Sequence, residues 1–425
     1  MVKVSLDDVL TAREKRVQYQ MELLNRFDFP VICFTMNIAG PVKVNEDTVY
    51  AFRVGSERLL DGLKTMDFKI LEKIDLSSPA GHCLLLAVDA PAEKLKQLCV
   101  SLENLDELGR LLDMDVIDTK ARKLTREAER SCLICGLPGR GCARARIHSV
   151  EQLQQKTSQI IQDYRVKRES ERIASLAVQS LLDEVCVTPK PGLVDCHDCG
   201  SHRDMNLFSF NASAAALYPY FQSCYMAGIQ ERQATAERAF GRLQVLGVEA
   251  EGAMRRATGG VNTHKGAIYT LGVLCGAAGR TGSHALEPWL EACSALTAHR
   301  HAAGVRAEVA DGLPSVRRIG LPVLQKARQD GLPFNDQCLT VLLYFLSSVQ
   351  DTNMVARGGT RNAKASRDQA RALIQYHETG AAGSGIREIM SRLNTLYVSE
   401  NLSPGGCADL LAATLLVDRW INLEA

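Results

Sequence analysis

The sequence predicts two domains of different class: an α+β amino-terminal domain with a mixed sheet over residues 1–165, then an all-α domain over 170–425. Three observations carry this. The chain has 425 residues, more than one ordinary core organises, since domains run to roughly 150–250 residues. Before residue 165, β-branched runs interleave with helical periodicity. After Glu169 the strand signals fade and Ala-rich helical patterns take over.

Ser5 or Asp7 can cap a first helix whose apolar positions Leu10, Val17, Met21, Leu24 and Phe27 share a face. Residues 30–38, from Pro30 to Ile38, read as a strand closed by the turn Gly40-Pro41. A second run, 83–88, stops at Asp89-Ala90-Pro91, where Pro91 opens a helix over 92–98. The run 111–117 alternates well enough to be a strand. The polar stretch 162–170 marks the seam. Beyond it Ile173, Leu176, Ala177, Leu181, Leu182 and Val185 begin the helical half, which continues through 210–226, 233–256, 267–278, 286–299 and 339–349.

Fifty basic against 49 acidic residues leave a net charge of +1, so no global field draws the chain to nucleic acid or an anionic membrane. The highly charged start is not a secretory signal, and no apolar run approaches the ~20 residues of a membrane span. Fourteen cysteines in so long a chain do not make a disulfide scaffold. A reducing cytoplasm is the expected location.

In a strand, Asp113 and Asp115 point the same way. Two carboxylates so close call for a divalent cation, and Mg²⁺ shared with substrate phosphates is the common solution. That arrangement suits nucleotidyl transfer; a pair on a solvated strand edge is the alternative. Arg110 precedes the pair, while Lys120, Arg122, Lys123, Arg126 and Arg130 follow it. No acidic residue lies between Glu129 and Glu151, where Arg144 and Arg146 also fall, so this stretch suits gripping a polyphosphate. Cys132, Cys135, Cys142 and His148 have the residue types and crowding of zinc ligands, with metal-free buried cysteines as the other reading.

In the helical half, Thr188-Pro189-Lys190-Pro191-Gly192 forms a rigid loop that carries Glu184, Lys190 and Asp195. Gly200-Ser201-His202-Arg203-Asp204-Met205 follows. Gly259-Gly260-Val261-Asn262-Thr263-His264-Lys265-Gly266 describes a helix start, capped by Asn or Thr, with open N–H groups for an anion. Glu249 and Glu251 precede it. Asp351-Thr352-Asn353 and Arg357-Gly358-Gly359 add carboxylate, amide and guanidinium. Four such Gly-containing breaks exceed what a helical bundle's own charge network requires.

The stretches Asn37-Ile38-Ala39-Gly40-Pro41-Val42-Lys43, Gly109-Arg110-Leu111-Leu112-Asp113-Met114-Asp115 and Cys132-Leu133-Ile134-Cys135 with Cys142-Ala143-Arg144-Ala145-Arg146-Ile147-His148 resemble the apo-citrate lyase phosphoribosyl-dephospho-CoA transferase family. The islands of the second half, together with Ser403-Pro404-Gly405-Gly406, resemble the triphosphoribosyl-dephospho-CoA synthase family. The resemblance implies a nucleotidyltransferase-like first domain and a bifunctional transferase. One half joins ATP to 3′-dephospho-CoA with release of adenine. The other transfers the product to a serine of the citrate lyase acyl carrier protein (its gamma subunit) with release of pyrophosphate. Under it, Asp113 and Asp115 hold Mg²⁺, with Arg110, Arg126, Arg144 or Arg146 on the pyrophosphate. Glu184, Asp195, Asp204, Glu251 and Asp351 become candidates for metal or base, while Lys190, His202, Asn262, Thr263, His264, Lys265, Asn353 and Arg357 become candidates for ATP. The alternatives are the equivalent assembly for malonate decarboxylase and a zinc-stabilised, non-enzymatic adaptor.

Overall fold

A computed structural model describes residues 3–126, 128–298, 303–378 and 385–423. By its contacts the chain divides into two compact units, Met1–Lys167 and Arg168–Ala425. The division falls inside one long helix.

The first unit runs α1 (Leu6–Phe27), β1 (Val31–Met36), α2 (Glu46–Thr65), β2 (Lys69–Ser78), β3 (Gly81–Asp89), α3 (Ala92–Glu103), β4 (Leu112–Ile117), α4 (Gly139–Arg144) and the start of α5 (Val150–Cys186). Ser5 caps α1 in a reciprocal capping box with Asp8, and Pro91 stands at the cap of α3. The sheet has strand order β2-β3-β1-β4. All three pairings are antiparallel, which corrects the expected mixed sheet. The hairpin at Ser78/Gly81 reverses β2 into β3, and β1 lies antiparallel to both of its neighbours, so no parallel pair forms. Among the expected runs β2 had no place. It is an edge strand, exposed at alternate positions, and its apolar content is correspondingly thin.

Alternation divides the sheet between two cores. Ile32, Phe34, Leu84, Leu86, Leu112, Met114 and Val116 meet Leu59 and Leu63 of α2 and Leu95 and Cys99 of α3. Val31, Cys33, Cys83, Leu85 and Ile117 meet Leu23 and Leu24 of α1. By the same alternation, Asp113 and Asp115 share the α1 side of β4.

The second unit is helical among its described residues. After α5 come α6 (Leu207–Ala216), α7 (Tyr218–Gln230), α8 (Ala236–Ala257), α9 (Lys265–Thr281), α10 (Leu286–Thr297) and α11 (Val305–Ala310). Then follow α12 (Leu321–Gln329), α13 (Phe334–Ser348), α14 (Thr352–Glu378, kinked at Gly359), α15 (Ile386–Ser399) and α16 (Gly405–Ile421). The helix expected over 210–226 is two, because Pro219 opens a new helix after Leu217. Of the helix expected over 286–299, residue 299 lies outside the described residues. The polar seam at 162–170 is helical, inside α5.

Helix α9 is apolar nearly all round and buried along its length, the mark of a helix enclosed by others. It packs against α7, α8, α10, α11 and α16. Glycines on α9 and on α7 permit this. A Cβ on Gly279 would lie 2.0 Å from the Tyr225 carbonyl oxygen, and one on Gly228 would lie 2.0 Å from that of Gly276. Side chains there would push α7 off the core.

Candidate functional site

In the first unit the two strand carboxylates are part-exposed and each faces a cation. Lys123 Nζ lies 2.5 Å from Asp115, and Arg130 lies 3.7 Å from Asp113. Arg130 also pairs with Glu103, a carboxylate with 2% of its side chain exposed. Arg126 pairs with the same Glu103, which further accepts the Met114 N–H at 2.7 Å. Arg126 therefore neutralises a buried acid that ties α3 to β4. Arg110 donates to the Ser131 and Cys132 carbonyls and to Ser131 Oγ, at 3.0–3.1 Å, so it clasps the following loop against the strand. Arg144 and Arg146 stand exposed. The arginines read as one polyphosphate grip are thus divided: Arg110 and Arg126 hold protein, whereas Arg144 and Arg146 face solvent.

Sequence reasoning passed over a cleft of about 570 Å³ bordered by α1, β1 and the β2–β3 hairpin. Lys15, Arg16, Lys43 and His82 line it with Tyr19 and Phe52. Thr35, also in its wall, pairs with Asp113 across the β1–β4 ladder, so cleft and carboxylates are neighbours on one sheet face. Burial lowers the Lys43 pKa, and its ammonium donates to the Ile38 carbonyl. The available signal was the basic pair Lys15-Arg16 on the polar face of α1.

The cysteine cluster does assemble. Ligand atoms of Cys132, Cys135, Cys142 and His148 all lie within 4.8 Å of one another. Burial raises the Cys132 thiol, but N–H donors of Cys135 and Ile134 outweigh it and bring the pKa down to about 7. Burial and the neighbouring thiols push Cys142 up to about 12.

In the second unit the four glycine-broken segments converge near the start of α16. Asp351, 5% exposed, accepts from Asn353 N–H at 2.8 Å and Met354 N–H at 3.3 Å through one oxygen. Its other oxygen accepts from Cys407 N–H at 2.9 Å. One carboxylate thus caps both α14 and α16, while burial raises its pKa. His202 Nε2 meets Ser403 Oγ at 2.8 Å, and Arg357 reaches the Ser201 carbonyl at 3.0 Å and His202 at 3.3 Å. Burial first, then the Arg357 charge, lowers the His202 pKa.

Beneath this rim Lys190, 1% exposed, places Nζ 2.5 Å from Glu184 and 2.8 Å from its carbonyl. Asp195 is committed to its own loop. It accepts from Thr188 Oγ1 and Lys190 N–H on one oxygen, and from the N–H groups of His197 and Asp198 on the other, all at 2.7–2.9 Å. His264 is 3% exposed; its Nδ1 meets Ser213 Oγ at 2.7 Å and its Nε2 has no partner. Burial, with the Lys190 charge, lowers its pKa to about 3, so the ring is neutral. Lys265 pairs with Glu251 at 3.4 Å in a part-exposed position. Asp204, Asn262 and Asn353 are exposed, and Thr263 Oγ1 is buried without a partner.

The helix start expected as an open anion cradle is filled. The cap residue of α9 is His264, with no side-chain cap bond, rather than Asn262 or Thr263. The Ala267 N–H donates to Asp409 of α16, and a Cβ on Gly266 would lie 1.9 Å from that carboxylate. The start of α9 therefore spends an open N–H on a side chain of the chain itself rather than on an external anion. Asp409 is the residue that reading missed. Its signal was a lone carboxylate in the apolar run after Ser403-Pro404-Gly405-Gly406. Although its surface is only part-buried, the protein packed around it, and then Glu184 and Asp351, push its pKa well above the carboxylate range.

A family model described as apo-citrate lyase phosphoribosyl-dephospho-CoA transferase matches residues 4–164. One described as ATP:dephospho-CoA triphosphoribosyl transferase matches 170–300 and 287–425. Protein CitXG of Haemophilus influenzae is 29% identical over 97% of this chain and 96% of its own length. A probable 2-(5''-triphosphoribosyl)-3'-dephosphocoenzyme-A synthase of Pseudomonas fluorescens is 37% identical over 59% of this chain and 91% of its own length. The chain is a transferase with two functional modules. It belongs to the ATP:dephospho-CoA triphosphoribosyl transferase family in its second unit and to the apo-citrate lyase phosphoribosyl-dephospho-CoA transferase family in its first, and serves citrate lyase prosthetic-group synthesis and attachment.

Proposed function

We propose that the second unit makes 2′-(5″-triphosphoribosyl)-3′-dephospho-CoA from ATP and 3′-dephospho-CoA, and that the first unit, with a nucleotidyltransferase-like role, passes it to the acyl carrier protein. In the first step the 2′-hydroxyl of dephospho-CoA attacks the anomeric carbon of ATP as the bond to adenine breaks. The transition state is oxocarbenium-like, as in glycoside transfer. Asp409, whose surroundings favour its protonated form, gives its proton to the departing adenine, and its carboxylate then takes up the proton of the attacking 2′-hydroxyl. Glu184, Asp351 and neutral His264 set the field around it, and Arg357, Lys265 and Asn262 meet the triphosphate at the rim. The observation that carries this reading is the meeting of four separate polar segments around Asp409 and Asp351.

In the second step a carrier serine attacks the α-phosphate, the bond to pyrophosphate breaks, and the serine proton passes to water. Lys15, Arg16 and Lys43 hold the nucleotide in the cleft, and Arg144 and Arg146 accept the pyrophosphate. Asp113 and Asp115, two carboxylates on one strand face at an accessible edge, would hold Mg²⁺ in place of their contacts with Lys123 and Arg130. Bound there, Mg²⁺ would disperse phosphate charge.

The test is mass spectrometry of apo carrier protein incubated with the full chain, ATP, Mg²⁺ and 3′-dephospho-CoA, with adenine followed in parallel. The expected result is one added phosphoribosyl-dephospho-CoA per carrier and stoichiometric adenine. Adenine without modified citrate lyase carrier, but with modified malonate decarboxylase carrier, would reassign the partner. Neither product would sink the proposal.

A further inference from the structure

We propose that the first unit holds a structural zinc ion on Cys132, Cys135, Cys142 and His148. The case rests on four features of the segment and not on the catalytic reading above.

The donors converge first. Four ligand atoms within 4.8 Å of one another, with Cys132 and Cys142 Sγ 3.5 Å apart, match a tetrahedron whose metal–sulfur bonds are roughly 2.3 Å and metal–nitrogen bonds roughly 2.0–2.1 Å. Three thiols and an imidazole are a set that selects zinc over magnesium or calcium. Second, the backbone has the turn such ligands need. Cys132 N–H donates to the Leu137 carbonyl at 2.6 Å, and Gly136 N–H donates back to the Cys132 carbonyl at 3.2 Å. Gly136 takes φ 74°, and the Ile134 N–H donates to Cys132 Sγ at 3.4 Å. N–H donors aimed at sulfur stabilise a thiolate, the form a metal binds.

Third, His148 Nε2 is buried without a hydrogen-bond partner, a state that polar atoms rarely keep in a finished site. Fourth, the segment has almost no core of its own. Between Arg130 and Ser149 the buried apolar side chains among the described residues are Cys132 and Cys142, while Ile134, Leu137 and Ile147 are exposed. A metal can supply the folding free energy that apolar burial does not.

Its place suggests its use. Arg110, next to the Asp113 strand, grips the Ser131 and Cys132 carbonyls. The zinc would therefore lock the segment bearing Arg144 and Arg146 to the edge that carries the carboxylates. The four thiol and imidazole donors stay outside the reaction.

The full chain is purified under reductant, dialysed against a weak chelator and analysed for metals by mass spectrometry. One zinc per chain is expected, with Cys132→Ser and Cys142→Ser falling at least tenfold and His148→Cys retaining the metal. Cobalt(II) exchanged into the wild type should give thiolate charge-transfer and tetrahedral d–d bands. Zinc removal by a strong chelator should speed tryptic cleavage after Arg144 and Arg146. A reduced wild type that takes up neither zinc nor cobalt overturns the proposal. So does metal that persists in both serine variants. These readouts need no substrate, so they stand or fall apart from the transferase assays.

Discussion

In the first unit Asp113 and Asp115 lie part-exposed on a sheet strand, Asp115 opposite the exposed Lys123 and Asp113 opposite Arg130, whose guanidinium also serves Glu103. In the second, Glu184, Asp351 and Asp409 crowd together near helix ends, held by Lys190 Nζ and by backbone N–H groups that cannot move. The contrast follows from what an element can offer. A strand aligns side chains two apart on one accessible face and leaves solvent to screen them. Helix termini supply fixed partial charges inside a core, where burial shifts proton affinity. The first arrangement suits exchangeable metal and phosphate, and the second suits a retained proton.

The sharpest way to break the comparison is at the buried pair. Lys190→Met leaves Glu184 uncompensated and should cost about 3–5 kcal/mol, read by urea unfolding of the full chain. A change below about 1 kcal/mol, the range of a surface pair, would erase the contrast. Next, Asp113→Asn with Asp115→Asn should lower carrier modification by roughly 100-fold, about 2.7 kcal/mol, with adenine release unchanged. Loss of both activities would show that the modules are not independent.

Gly266→Ala sharpens the role of Asp409. Gly→Ala in an unhindered helix gains about 0.8–1.0 kcal/mol, yet here the new methyl meets the Asp409 carboxylate. Adenine release should drop about tenfold with transfer of preformed intermediate intact; a faster variant would free Asp409 from its role. The proton argument extends to His264. Its pKa is lowered to about 3 against an unfolded value of about 6.5, so the unfolded chain binds the extra proton between these values. Stability from this residue is then full above about pH 6.5 and declines as pH falls towards 3. His264→Gln should flatten that part of the pH–stability curve, and an unchanged slope would reject the burial argument. The smallest expected effect is Ser5→Ala, which removes one side of the α1 capping box and should cost about 1 kcal/mol by thermal unfolding.

Much of the secondary structure was legible because its signals are local. The runs at 83–88 and 111–117 are within a residue or two of β3 and β4, and Ser5 caps α1. The edge strand β2 and the break between α6 and α7 were not read. A half-exposed strand needs few apolar residues, and Pro219 reads as a break only where the following residues pack as a separate helix. In the candidate sites, residue type was legible but partnership was not. Arg110 and Arg126 look identical in sequence to Arg144 and Arg146, and only the fold supplies Glu103 and the Cys132 loop to occupy the first two.

By itself the sequence determined which chemistry the chain possesses: paired acids on a strand, a cysteine-histidine set, and glycine-broken polar islands in an apolar helical half. Those depend on residue identity and short-range spacing. Only the tertiary structure decided that Asp409 caps α9, that Asp351 serves two helices, and that Lys15 and Arg16 border a cleft beside Asp113. Each of these joins residues distant along the chain, and their meeting is set by the packing of whole elements, which no local pattern encodes.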